Sequence, residues 1–417
     1  VKIVVPALIK RNMALFALSQ SFTGAGMQFI YGLGPLMIVG ISGSNDLAGL
    51  SVALIGLSRF LVSYPIGKIT DSYGRKPGIL LGLALAMVGT FIIAAGQDFA
   101  NLAGVIVGIL IFGMGMNAAQ QMRVGATDMF PSVLRGQALG YIALGTFAGL
   151  ILSPAVVNLG ERMAAAGVGQ ALVLPWLMLP VLIVIGAVLV YFVRPDPKEI
   201  GQNLGAYYPG YVEPQHAVSK GEKFSGGSLM KYTPTRLAIA ANAAAQGNMS
   251  IVMVLTSLVL QHHGHSLTAI AWAHLFHSAG MFAFSIPIGK LSDRIGRAKI
   301  MYPGLVLTIA GAALVGLTTG YVPITFGTFL VGIGWAMTNV ASTALLADEV
   351  ETSMRGRAIG TNDSWAGGTS LVLSLITGPL ISALGLPASG VFAALVAAVP
   401  LIMWGLEGAK TRKSSAT

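Results

Sequence analysis

Gly67-Lys68-Ile69-Thr70-Asp71-Ser72-Tyr73-Gly74-Arg75-Lys76 returns 222 positions on as Gly289-Lys290-Leu291-Ser292-Asp293-Arg294-Ile295-Gly296-Arg297-Ala298. The shared form is G-K-x-x-D-x-x-G-R. Each copy lies between long apolar runs, in a chain of which only 10% is charged. A second pair of elements supports the duplication: Asp128, Arg135, Gly136, Ala138 and Gly140 match Asp348, Arg355, Gly356, Ala358 and Gly360, at a spacing of 220. Two basic, glycine-punctuated loops at half-chain spacing predict a chain built as two tandem repeats.

The composition requires lipid around those repeats. The chain is 54% hydrophobic, has a mean hydropathy of +0.76 and carries 54 glycines, a content that suits helices packed closely through small residues. A helix needs about 20 apolar residues to cross a bilayer. Twelve stretches qualify: 12–40, 47–67, 78–97, 101–122, 136–157, 171–193, 236–260, 268–289, 300–319, 322–346, 358–382 and 388–406. Residues 194–235 interrupt the rhythm with Arg194-Pro195-Asp196-Pro197-Lys198, Pro209, Pro214 and a Gly-Ser patch, and read as a tether. The expected organisation is an all-α polytopic membrane protein: a six-helix bundle over 1–193, a linker over 194–235, and a second, pseudo-symmetric six-helix bundle with a tail over 236–417.

The net charge of +10 follows the same map. Of the 25 Lys and Arg, all but Arg59 and Arg162 fall at the termini or in the connections after helices 2, 4, 6, 8 and 10. Basic loops stay on the cytoplasmic side, so both termini are expected there, and the basic balance reads as topology rather than nucleic-acid binding. Val1 to Arg11 lacks a signal-peptide pattern. With no cysteine, disulfides and thiolate chemistry are excluded. No nucleophile–base pair or phosphate-cradling loop stands out, so an enzyme is not expected and no cofactor is called for.

The duplicated loop, together with the Asp128–Gly140 and Asp348–Gly360 elements, resembles the signature of the major facilitator superfamily of transporters, and the resemblance covers residues 12–406. Ala298 departs from it, where a second basic residue is expected after Arg297. The resemblance implies a secondary carrier, a monomer in a bacterial or archaeal cytoplasmic membrane, that moves a small-molecule substrate by alternating access. It also implies gating roles for Gly67, Asp71, Arg75, Asp128 and Arg135, and for Gly289, Asp293, Arg297, Asp348 and Arg355. Arg75 is expected to reach Asp128, and Arg297 to reach Asp348. Gly67 and Gly289 are expected where helix ends lie tightly together.

By the same resemblance helices 1, 4, 7 and 10 line the cavity. The substrate candidates there are Gln28, Tyr31, Asn117, Gln120, Asn242, Gln246, Trp335 and Asn339; amides in lipid also join helices to one another. Arg59 stands alone as a cation about 12 Å of helix rise from Gly67. Its counterpart in the second repeat is Met281. It reads either as a fixed charge for an anionic cargo or a coupling carboxylate, or as a guanidinium bonded to helix carbonyls. Proton coupling needs a titratable group within the membrane: Asp363 is the one acid placed there, and His274 and His277 share a helix face and titrate near neutral pH. His262, His263 and His265 precede them in a loop, and the whole window could instead collect a transition metal. Proton-coupled movement of a small organic solute or drug, with export ahead of uptake, is the leading expectation. Organic-anion uptake or exchange and metal or metal-chelate transport are the alternatives.

Overall fold

Hydrocarbon offers no water to satisfy a backbone N–H or C=O, so long apolar runs form helices that close their own hydrogen bonds. The computed structural model describes residues 4–131, 134–209, 226–349 and 355–414, and among them every regular element is helical. Nine helices there are long and apolar enough to cross a membrane, and Ala7–Gly32 with Gly34–Ser42, bent by 40°, makes a tenth. Thr361–Glu407 holds two of the expected passes: at Gly385 the backbone turns to φ 83°, a conformation glycine adopts freely, and Pro387 opens the next helix. Leu267–Ala283 and Ser285–Ile295, broken at Phe284, supply the remaining pass. Counted in this way, the described residues of this helical membrane protein supply the twelve expected passes, numbered as spans 1 to 12 in chain order.

Contacts divide the chain into two units. One comprises Val1–Ser42 and Leu54–His216, the other Gly43–Ala53 and Ala217–Thr417. Within the first, spans 3 and 4 (Arg75–Asp98 and Leu102–Asp128) pack through glycine: a Cβ on Gly82 would lie 2.7 Å from the Ala119 backbone nitrogen. Phe29 and Phe112 meet Trp176 edge-on at 5.5 and 5.6 Å in the buried core. Within the second, Thr233–His262 is the central helix, 89% buried along its apolar window. A Cβ on Gly327 would lie 2.7 Å from the Gly311 carbonyl oxygen, repeating the small-residue packing.

Part of the linker is built into the first unit. Pro197–Gln202 and Leu204–Tyr207 are helical, and Ile200, Leu204 and Tyr208 are buried. The Tyr208 hydroxyl donates to the Met129 carbonyl at 3.0 Å. The opening of the expected tether is therefore a docked element, because its apolar side chains find a floor. Span 4 also runs further than its apolar pattern, continuing as Gln121–Asp128 after a break at Gln120, which brings Arg123 into the helix rather than the loop.

Candidate functional site

The repeated loops build matching corners. Gly74 has φ 103° and Gly296 φ 102°, values that L side chains avoid, and each ends one helix just before the next begins. In the first unit Arg75 Nε donates to Asp128 Oδ2 at 2.7 Å and Nη1 to the Thr70 hydroxyl at 3.1 Å. In the second, Arg297 Nε donates to Asp348 Oδ2 at 3.0 Å and Nη1 to the Ser292 hydroxyl at 3.4 Å. The first pair is the more sheltered, with side-chain exposures of 16% and 25% against 24% and 57%. The side chains of Asp71, Arg135, Asp293 and Arg355 lie outside the described residues. At Gly67 and Gly289 an added Cβ would meet nothing within 4 Å, so the tight approach expected there does not occur among the described residues.

Asp196, which the sequence reading left in the tether, completes the first corner. Its Oδ1 accepts from the backbone nitrogens of Arg75 (3.0 Å) and Lys198 (2.9 Å), and Oδ2 from that of Lys76 (2.9 Å). One carboxylate thus caps two helix starts, where unsatisfied N–H groups and the helix dipole favour negative charge. Lys76 Nζ donates to the Val193 carbonyl at 3.1 Å and sits 5.1 Å from the Tyr191 ring centre.

Deeper in the first unit, Arg59 Nε donates to Asn117 Oδ1 at 3.1 Å, and Asn117 Nδ2 is shared between the Ser58 hydroxyl (3.1 Å) and the Gly113 carbonyl (2.9 Å). This joins the helix Leu50–Tyr73 to span 4. Half-buried Tyr31 and buried Gln28 lie on Ala25–Gly32, and exposed Arg123 on Gln121–Asp128. Gln120, at the break in span 4, keeps its side-chain oxygen buried without a hydrogen-bond partner among the described residues.

The second unit answers with neutral groups. Asn339 Nδ2 donates to Asn242 Oδ1 at 3.0 Å, and Trp335 Nε1 to Gln246 Oε1 at 2.8 Å. One index rises by four as the other falls by four, so two antiparallel helices present one face each. The histidine window separates. His262 and His263 are exposed and meet edge-on at 5.4 Å, while His265 is half-buried against Tyr321. His274 and His277 are 0% and 1% exposed: His274 Nε2 bonds the Ser257 hydroxyl at 2.9 Å, and His277 Nδ1 the Thr328 carbonyl at 2.9 Å. Among the described residues no three or more His, Asp or Glu lie together as a metal site. Asp363 is exposed, one residue before an open groove of about 510 Å³ lined by Ser364, Trp365, Gly368, Thr369, Val372 and Leu373.

The sequence profile of the Major Facilitator Superfamily matches residues 16–224 and 237–416. The chain belongs to that superfamily. It is similar to the riboflavin transporter RfnT of Brucella anthropi, 28% identical over 90% of each chain. It is also similar to the quinolone resistance protein NorA of Staphylococcus aureus, 24% identical over 86% of this chain and 88% of that one. Among solved structures, a POT family transporter in complex with a thioalcohol-conjugated peptide shares the fold with a TM-score of 0.74, 12% identity and 96% coverage of both chains. Membership makes the chain an integral membrane transporter for small molecules rather than an enzyme, and it gives the duplicated corners and the polar residues between the span ends a setting in common.

Proposed function

We propose that the chain is a proton-coupled secondary carrier that moves a small organic solute across the cytoplasmic membrane by alternating access, with export the favoured direction and both termini cytoplasmic. The carrying observation is the repeated corner, one Arg–Asp pair at the same repeat position in each unit. A gate must bias a conformation without freezing it. Half-exposed ion pairs of about 1 kcal/mol serve that need, since a carrier's states differ by only a few kcal/mol. Gly67, Asp71, Arg135, Gly289, Asp293 and Arg355 belong to the same proposed gate.

Riboflavin and quinolones, named for two relatives, are flat heteroaromatic compounds. Trp335, held by Gln246 beside the Asn242–Asn339 pair, supplies an aromatic face and amides suited to that class. Of the proton candidates, Asp363 is exposed, whereas the His274 and His277 rings are enclosed and engaged by neutral partners. No specific observation favours the metal alternative. The test is flux of riboflavin and of norfloxacin into liposomes containing the purified chain, with and without a pH gradient. Gradient-driven flux, lost in Asp363→Asn, is expected. Flux that ignores the gradient would end the proton assignment, and flux equal to empty liposomes for both solutes would remove this solute class.

A further inference from the structure

We propose that the turn where span 6 ends, Tyr191 to Arg194, forms with Arg11 and Lys76 a binding site for the phosphodiester headgroup of an anionic phospholipid. The site lies within the first unit and involves no transport step, so it goes beyond the carrier reading. The C-terminal end of span 6 (Leu174–Tyr191) leaves carbonyl groups without partners inside the helix, and cations from two other spans gather on them. Arg11, in Ala7–Thr23, donates from Nη2 to the Phe192 carbonyl at 3.2 Å. Lys76, at the start of Arg75–Asp98, donates from Nζ to the next carbonyl, that of Val193, at 3.1 Å. Lys76 Nζ and the Arg194 guanidinium share the Tyr191 ring, at 5.1 and 5.6 Å from its centre. Asn12 Nδ2 donates to the Arg194 carbonyl at 3.1 Å and ties the turn to span 1.

Capping a helix end accounts for a cation beside it, but here the carbonyls engage only part of each cation. Arginine carries five N–H donors and lysine three, of which Arg11 and Lys76 each give one to this turn. Among the described residues Arg11, Lys76 and Arg194 form no ion pair with a carboxylate. The neighbouring carboxylate, Asp196, accepts from three backbone nitrogens instead. Three cations with donors to spare therefore meet at one turn, a setting in which phosphate oxygens accept charged hydrogen bonds. The surroundings of the turn select a lipid over a soluble anion. Tyr191 and Phe192 are exposed where the span ends, the level of the aromatic belt in membrane proteins. From Tyr191 back along the helix, Val188, Val184 and Val181 are exposed at helical spacing, an apolar track for acyl chains. Basic pockets between spans hold anionic headgroups at this level. The fold does not demand the cations, because the second unit closes its own junction by pairing. There Arg236 Nη2, near the start of span 7, meets Glu407 Oε1 at the end of span 12 at 3.0 Å. Ala298 stands at the repeat position of Lys76, and Tyr302 stacks on Trp404 at 4.5 Å.

The experiment uses the full chain, purified and stripped of lipid in detergent, and offers it dioleoyl phosphatidylglycerol and dioleoyl phosphatidylcholine in equal amounts. Native mass spectrometry reads which lipid stays bound. Preferential retention of phosphatidylglycerol is expected. Arg11→Gln, Lys76→Gln and Arg194→Gln should each lower that preference about fivefold, the share of one basic side chain at a membrane surface. Arg194→Gln removes no hydrogen bond of that side chain to the described residues, so its effect reads the site without uncapping a helix. Where Arg11→Gln or Lys76→Gln fails to fold, Arg11→Lys and Lys76→Arg keep the charge and should keep the preference. Lys290→Gln, which removes an exposed cation from the second unit, should leave it unchanged. Equal retention of the two lipids, an unchanged preference in Arg194→Gln, or an equal loss in Lys290→Gln would overturn the site. Displacement of phosphatidylglycerol by an equal concentration of glycerol 3-phosphate, a headgroup without chains, would overturn the lipid assignment in favour of a soluble anion.

Discussion

Asp196→Ala removes one carboxylate from two helix starts. The three bonds it accepts, at 2.9 to 3.0 Å, cap Arg75–Asp98 and Pro197–Gln202 together. A capping side chain contributes about 0.5–2 kcal/mol per helix, and negative charge at a helix start adds about 0.3–1 kcal/mol. For two helices the loss comes to about 2–6 kcal/mol. Little of it falls on span 3, which lipid and span 4 hold in place. It falls on the docking of residues 196–209, which is otherwise secured by Ile200, Leu204 and Tyr208. At a factor of ten per 1.4 kcal/mol, the undocked population rises about 30-fold at the low end of that range and about 20,000-fold at the high end. Tryptic cleavage of the Lys198–Glu199 bond in nanodisc-held protein reads that population when closing outpaces cleavage. Asp196→Asn keeps an acceptor but loses the charge, and should fall between wild type and the alanine variant. Cleavage of Asp196→Ala within threefold of wild type would refute the reasoning, because the carboxylate would then hold nothing that its neighbours do not.

The two corner ion pairs should differ in strength. Double-mutant cycles with Arg75→Gln and Asp128→Asn should give a coupling of about 1–2 kcal/mol, against less than about 1 kcal/mol for Arg297→Gln and Asp348→Asn, because Asp348 is 57% exposed; equal couplings by denaturant unfolding would contradict this. Burial pushes the Tyr208 phenol up to about 12 from 10.0. A raised folded-state value means that its contribution is complete below about pH 10 and is lost as pH climbs towards 12, so wild type should lose more thermal stability than Tyr208→Phe between pH 9 and 11, and parallel losses would show the hydroxyl to be unimportant.

The corners were legible because their chemistry is local: a glycine that needs positive φ, then an arginine one residue on, with an aspartate at a repeated distance. Span count was legible from apolar length, and Gly385-Leu386-Pro387 falls where spans 11 and 12 were divided. The docked linker was not, because Arg194-Pro195-Asp196-Pro197-Lys198 reads by composition as a breaker. Its one available signal was Asp196 directly before Pro197, an N-cap followed by proline in the first helical turn. Arg123 was lost because the apolar run stops at Met122, whereas backbone hydrogen bonds carry the helix on to Asp128. Around Gly67 and Gly289 no described residue comes within 4 Å of an added Cβ, since a glycine permits close approach without requiring it.

Duplication has preserved the rim and let the interior diverge, and the physics of each region explains why. At the rim Gly74 and Gly296, Thr70 and Ser292, Arg75 and Arg297, and Asp128 and Asp348 hold one backbone corner in place, so any change there costs the corner itself. Inside the membrane the demand is only that each polar group be satisfied, and there are several ways to meet it. The second unit closes its polar groups in pairs, amide on amide, indole on amide, imidazole on hydroxyl or carbonyl. Such pairs consume donors and present a surface whose shape selects. The first unit instead chains its groups, guanidinium to amide and that amide to a hydroxyl and a carbonyl, through Arg59, Asn117, Ser58 and Gly113, so that one amide serves two helices at once.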